Sequence, residues 1–261
     1  MTLIGLIGTG AVALAVLMTG FWLIHLRLRN AAIVDVGWAL GLPILACWYA
    51  TRLQPGPRGW LLAGLVIVWG LRLAAYLLVT RVIGHGEDGR YVELRRGWGE
   101  RAGRYFFVFF QAQVLLDLVL SLPILLVMRE RAPVGVVEQV AVVVWAIALG
   151  GEAIADRQLA AFRRSAHGRG AVCERGLWAY SRHPNYFFEW LIWVAYAIYA
   201  STAAWGWLGW TAPALMLYFL FRVTGIPATE AQALRSRGDA YRRYQQTTSA
   251  FVPWFRKRGA Q

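Results

Sequence analysis

Residues 2–25 read TLIGLIGTGAVALAVLMTGFWLIH, a run with no aspartate, glutamate, lysine or arginine. A run of this length spans the hydrocarbon of a bilayer as a helix. It exceeds the roughly 7–15-residue apolar stretch of a secretory signal, and no basic region leads it, so it reads as a retained helix. The glycines of GLIGTG, Gly5, Gly8 and Gly10, superficially resemble a phosphate loop. No strand precedes them, and close helix packing is the reading that fits.

Outward from this run the chain repeats the pattern. Its 261 residues are 58% hydrophobic and 14% aromatic, and mean hydropathy is +0.46, unlike a soluble domain. Further apolar runs fall near 32–50, 59–80, 105–128, 137–157, 186–204 and 206–226. The expected fold is therefore all-α, a polytopic membrane protein of seven transmembrane helices forming one domain over residues 1–261. Of the 27 basic residues, 22 fall in the first, third and fifth connections and the tail, against four in the alternate connections. Basic residues at span ends stay cytoplasmic, which puts the N-terminus outside and the C-terminus in the cytoplasm. Cys47 and Cys173 then lie on opposite sides and cannot pair, and neither a disulfide framework nor a metal cluster follows.

The net charge of +13 suits loops beside anionic lipid headgroups, and nucleic acid is a poor partner for such a chain. Of the basic residues, 26 are arginine. Genomic GC content accounts for that equally with bidentate recognition of phosphate, which a guanidinium does better than an ammonium.

Ionisable groups at membrane depth are the natural functional candidates. Asp35, early in the second span, is either an interfacial acid pairing with Arg27 or Arg29 or a group that donates a proton to, or polarises, a carbonyl. In the third connection Glu87 and Asp88 flank Arg90 and Tyr91: the acids either order an arginine for an anionic ligand or form a self-neutralising loop. Gln111, Gln113 and Asp117 lie in the fourth span. Asp117 is about 120° around the helix from Gln111, and interhelical hydrogen bonding is the plain role of the glutamines.

Glu152 and Asp156 stand one turn apart at the end of the fifth span, and Arg163 returns to the same face. Two acids followed by a base suit ribose hydroxyls and a phosphate; a salt-bridge ladder with Arg157 and Arg164 is the alternative. Residues 181–190, SRHPNYFFEW, place Pro184 in the first turn of a helix. Asn185 and Glu189 then face one way, with Arg182 and His183 at the positive end of the helix dipole. Such an end is an anion site, and Asn185 with Glu189 complements an amide. A nicotinamide dinucleotide carries both groups. In the tail, Glu230, Tyr241 and Tyr244 sit on amphipathic, basic helix, lying on the membrane surface or folding back over a cofactor.

SRHPNYFFEW, EAIADRQLAAFRR (152–164) and GIPATEAQALRSRGDAYRRYQ (225–245), with NAAIVDVGWALG (30–41) and EDGRY (87–91), together resemble the steroid 5-alpha-reductase family, in particular its bacterial DUF1295 branch. The resemblance implies a seven-helix enzyme of the bacterial inner membrane. It would hold NADPH in a cytoplasm-facing cavity formed mainly by residues 137–261, and would reduce an activated carbon–carbon double bond of a steroid or other membrane lipid entering from the bilayer. Asp156, Arg163, Asn185 and Glu189 match NADPH-binding positions. Glu152 stands where the animal enzymes have asparagine. Arg90, Tyr91, Arg182, His183, Glu230, Tyr241 and Tyr244 complete the expected cofactor set, with Arg90, Arg163 and Arg182 near phosphates. The Gln-Glu pair with which the animal enzymes grip a steroid carbonyl is absent; Asp35, Gly37 and Trp38 stand there, leaving Asp35 and Tyr76 as candidate acids. RHPxY before a tyrosine-rich tail also resembles isoprenylcysteine and phospholipid methyltransferases, which bind S-adenosylmethionine. A lipid-binding or transport protein without catalysis is the third expectation.

Overall fold

The computed structural model describes residues 2–165, 171–223 and 225–257; Arg169 and Arg258 of the charge pattern lie outside them. Among the described residues every regular element is helical, and an isolated parallel bridge joins Ser181 to Ser249. Six helices among the described residues are long and apolar enough to cross a membrane: Leu3–Leu28, Ile33–Leu53, Pro57–Val82, Gly89–Leu120, Val136–Arg164 and Gly206–Arg237. The run near 186–204 forms a 17-residue helix, Pro184–Ala200, about 26 Å long and so at the short end for a span.

The chain forms two compact units. The first comprises residues 1–135 and 200–209, the second 136–199 and 210–261. In the first, α1 (Leu3–Leu28) starts at Thr2, whose hydroxyl accepts from Gly5 N at 3.2 Å, and stops where Arg29 turns left-handed. α2 (Ile33–Leu53) is followed by α3 (Pro57–Leu77), which carries its proline in the first turn, where a missing N–H costs nothing, and runs on through a π turn at Leu78–Val82. α4 (Gly89–Trp98) leads into α5 (Ala102–Leu120) and α6 (Leu122–Met128). The continuous helix expected over 105–128 is thus broken at Ser121, because Pro123 cannot carry the ladder of N–H bonds onward.

α1, α2, α3 and α5 bury Leu14, Met18, Leu42, Trp69 and Phe106 between them. The Asp117 side chain of α5 lies directly over Gly41 of α2, where a Cβ would fall 2.0 Å from its Oδ2. Gln111 reaches Thr19 of α1 at 3.2 Å, an interhelical bond of the expected kind, whereas Gln113 bonds only to Phe109 O of its own helix. At the far end of the unit, buried Arg58 donates to Glu130 at 3.0 Å and to Thr202 at 3.1 Å, and Glu130 accepts from Ala204 N. Those bonds fasten residues 200–209 to the first unit. Large apolar residues such as Val12, Val16 and Leu115 remain exposed, as expected of faces that meet lipid rather than water.

The second unit contains α7 (Val136–Arg164), α8 (Pro184–Ala200), α9 (Thr211–Tyr218) with a π turn at Phe219–Val223, α10 (Ile226–Arg237) and α11 (Asp239–Thr247). α7 continues seven residues past the expected end of its apolar run, and so carries Glu152, Asp156 and Arg163 on one unbroken helix.

Candidate functional site

Each unit gathers one polar cluster. In the first, Asp35 occupies the opening turn of α2 and accepts from Arg81 Nη1 at 3.0 Å and from the Tyr91 hydroxyl at 2.6 Å, with Arg90 Nη2 at 3.5 Å. The expected partners Arg27 and Arg29 give way to Arg81 and Arg90, because the π turn at the end of α3 and the start of α4 converge on the N-terminus of α2. Asp88 caps α4, accepting from Arg90 N at 3.0 Å, and holds the Arg90 guanidinium at 3.2 Å. Glu87 serves a different arginine: it accepts from Arg95 at 2.6 and 2.8 Å and from Ala31 N at 2.9 Å.

Burial works against the Glu87 charge, but the Arg95 and Ala31 bonds outweigh it and hold the carboxyl below its usual range. For Asp88 burial is likewise overcome, here by Arg90, and its value is also lowered. Both acids therefore help fasten the loop above their unfolded values and lose that contribution as pH falls through the folded ones. Tyr91 is buried against Phe106 and Phe109. Tyr76 lies in the last turn of α3, its carbonyl accepting from Thr80. Tyr91→Phe removes one of the bonds to Asp35 while keeping the ring, and should lower thermal stability by about 1–2 kcal/mol in a detergent melt; an unchanged melting temperature would show that Arg81 and Arg90 hold Asp35 without it.

The second cluster stands where α7, α8, α10 and α11 meet. Pro184 opens α8 as expected, so Asn185 and Glu189 lie one turn apart. A close approach lets α7 reach them: a Cβ at Gly151 would fall 2.4 Å from the Phe188 ring, so only glycine permits this packing. Asn185 Nδ2 thereby meets Asp156 Oδ1 at 3.5 Å, with Glu152 buried one turn away. Glu189 accepts from Trp193 Nε1 at 3.1 Å. Arg163 is exposed at the end of α7.

Arg182 and His183 are drawn toward the tail. Glu230 Oε1 accepts from Arg182 Nε at 2.6 Å and lies 3.2 Å from His183 Nε2, while Oε2 accepts from Gln245 Nε2 at 2.7 Å. Arg182 Nη1 also donates to the Gln245 and Thr248 carbonyls at 3.0 and 2.7 Å. The Arg182 guanidinium is thus a clamp on the tail as well as a charge near the helix end. His183 stacks on Tyr186, 5.3 Å between centroids. Tyr241 and Tyr244 are buried, and the Tyr244 hydroxyl donates to the Trp178 and Ser181 carbonyls. Burial pushes both phenols well above their ordinary range. The face of α11 that carries Tyr241 and Tyr244 is therefore packed against its own unit. Residues not singled out from sequence are Arg81, Gln245, Ser181 and Thr248. Thr248 contributes its carbonyl to Arg182, which no side-chain pattern reveals, while Gln245 contributes both its carbonyl and its side-chain amide.

Apolar helices carrying two clusters of ionisable side chains at their ends define a polytopic integral membrane protein with polar sites built into the bundle. The chain belongs to the DUF1295 family: the family described as "Protein of unknown function (DUF1295)" matches residues 21–248, a stretch that takes in both clusters. No curated protein and no solved structure matches it.

Proposed function

We propose that the protein is an NADPH-dependent reductase of an activated carbon–carbon double bond in a steroid or other membrane lipid. The observation that carries this reading is the meeting of Asp156 with Asn185, with Glu152 and Glu189 one turn away on their helices. That donor set fits a nicotinamide dinucleotide. An amide beside a carboxylate complements a carboxamide, which donates and accepts at once, and carboxylates accept from ribose hydroxyls. Arg163 of the same unit is suited to phosphate oxygens.

Bound, the dinucleotide supplies a hydride for the electron-poor alkene carbon. The chain's part is to orient it, exclude water and provide a donor for the substrate oxygen as charge develops there. Asp35, whose oxygens already accept from Arg81 and Tyr91 beside Arg90, is better suited to positioning those groups. Arg182, His183, Glu230, Tyr241 and Tyr244 would fix the start of α8. In this reading α8 is the seventh span, the N-terminus faces outward, and the dinucleotide site faces the cytoplasm of a bacterial inner membrane.

Titration of the purified protein with NADPH tests the proposal. Saturable binding is expected, and Asn185→Ala should raise Kd about tenfold, a loss of about 1.4 kcal/mol. Saturable binding of S-adenosylmethionine in place of NADPH would make the protein a methyltransferase, and binding of neither would leave a lipid-binding or transport role.

A further inference from the structure

Beyond α11 the described residues include large apolar side chains open to solvent. Val252, Trp254 and Phe255 are 50%, 67% and 78% exposed, and Tyr180 beside them is 45% exposed. Tyr180 meets Phe255 edge to face at 6.3 Å. Four large apolar or aromatic side chains in one patch are costly against water, and Trp and Tyr favour the boundary between headgroups and acyl chains.

The patch is held in place. Trp254 N donates to Tyr180 O at 2.9 Å, Lys257 N to Thr247 O at 2.9 Å, Ser181 Oγ to Phe251 O at 2.7 Å and Arg182 N to Ser249 O at 2.8 Å. It also adjoins a membrane helix. Phe251 is buried against Leu220 and Ile226, and its ring lies 5.2 Å from that of Phe221, which is 40% exposed on the π turn ending the last apolar segment. Only two residues separate Phe251 from Trp254 along the chain. Directly after the aromatics come Arg256, which pairs with Glu174, and exposed Lys257; Arg222 flanks Phe221. Cations at the rim of an apolar patch beside a span are complementary to anionic lipid headgroups.

We infer that Val252–Lys257 is a bilayer-docking segment: Val252, Trp254 and Phe255, with Tyr180, enter the headgroup–acyl boundary beside Phe221, and Arg256 and Lys257 meet anionic headgroups. The partner is a lipid surface, and the inference stands whether or not the protein binds a dinucleotide.

The test uses the full-length protein in lipid nanodiscs, with Cys47→Ser to remove the exposed native thiol. Bimane is attached at Phe255→Cys and, in a separate variant, at Val252→Cys. Arg243→Cys on α11 is the water-exposed control. With phospholipids brominated just below the glycerol, the probes at 252 and 255 should emit further to the blue than the control and lose most of their emission, while the control keeps its own. Quenching should deepen when part of the lipid is anionic and weaken as salt is raised. Emission at 252 and 255 matching the control overturns the proposal, as does efficient disulfide crosslinking of two chains through 255, which would assign the patch to a second copy. Equal quenching in neutral and anionic discs overturns the role given to Arg256 and Lys257.

Discussion

Glu230→Ala should cost the protein about 2–4 kcal/mol and lower its melting temperature in detergent more than any other single change in the second cluster. One carboxylate accepts from Arg182 and Gln245 and stands beside His183, and Arg182, His183 and Glu230 keep only 11%, 3% and 15% of their side-chain surface exposed. Removing one partner of a buried ion pair typically costs about 3–5 kcal/mol, because the other charge stays desolvated without compensation; the residual exposure of Glu230 reduces that figure. Glu230→Gln keeps an acceptor for Arg182 and should lose about half as much. If alanine shifts stability by less than about 0.5 kcal/mol, within the range of an ordinary surface substitution, the clamp is held by the Gln245 and Thr248 carbonyls alone. The substitution also separates stability from binding. Should Asp156, Asn185 and Glu189 form the dinucleotide site, Glu230→Ala weakens NADPH binding through the altered start of α8, while Arg163→Ala weakens it with little change in melting.

That hub marks a boundary of what sequence discloses. Pro184 announces the start of α8, and local periodicity then gives the shared face of Asn185 and Glu189 and the stripe of Glu152, Asp156 and Arg163 on α7. Each of these relations spans eleven residues or fewer, within reach of helical geometry. Arg182 and Glu230 are 48 residues apart, and Asp35 lies 46 residues from Arg81 and 56 from Tyr91. Nothing local selects Arg81 over Arg27 for Asp35; the choice is made by the π turn and by the way α4 returns to α2. Apolar runs anticipated the six helices long and apolar enough to cross a membrane, yet hydrophobicity is indifferent to the break at Ser121, which depends on a missing proline N–H. The tail was ambiguous for a related reason. An amphipathic helix looks alike whether its apolar face meets lipid or protein, and the burial of Tyr241 and Tyr244 shows that their face packs on protein.

Gly41→Ala should destabilise the first unit by about 2–3 kcal/mol, toward the upper part of what inserted core atoms usually cost. The new Cβ would lie 2.0 Å from Asp117 Oδ2 and 2.9 Å from its carboxyl carbon, so α2 and α5 must part or the carboxyl must leave its notch. Asp117 has little freedom to leave. It is fully buried on the face of α5 that carries Phe106, Phe110 and Val114, and neither carboxyl oxygen has a hydrogen-bond partner among the described residues. A polar group so placed adds little to stability, since the desolvation of its oxygens is not returned as bonds. Asp117→Ala should consequently be far milder than a typical core truncation, the loss of packing being offset by removal of the carboxyl. In that background Gly41→Ala should cost less than about 0.5 kcal/mol, giving a coupling of about 2 kcal/mol between the positions, well beyond the additivity of independent sites. If the two losses simply add, the helices are held apart at Gly41 by something other than the carboxyl of Asp117.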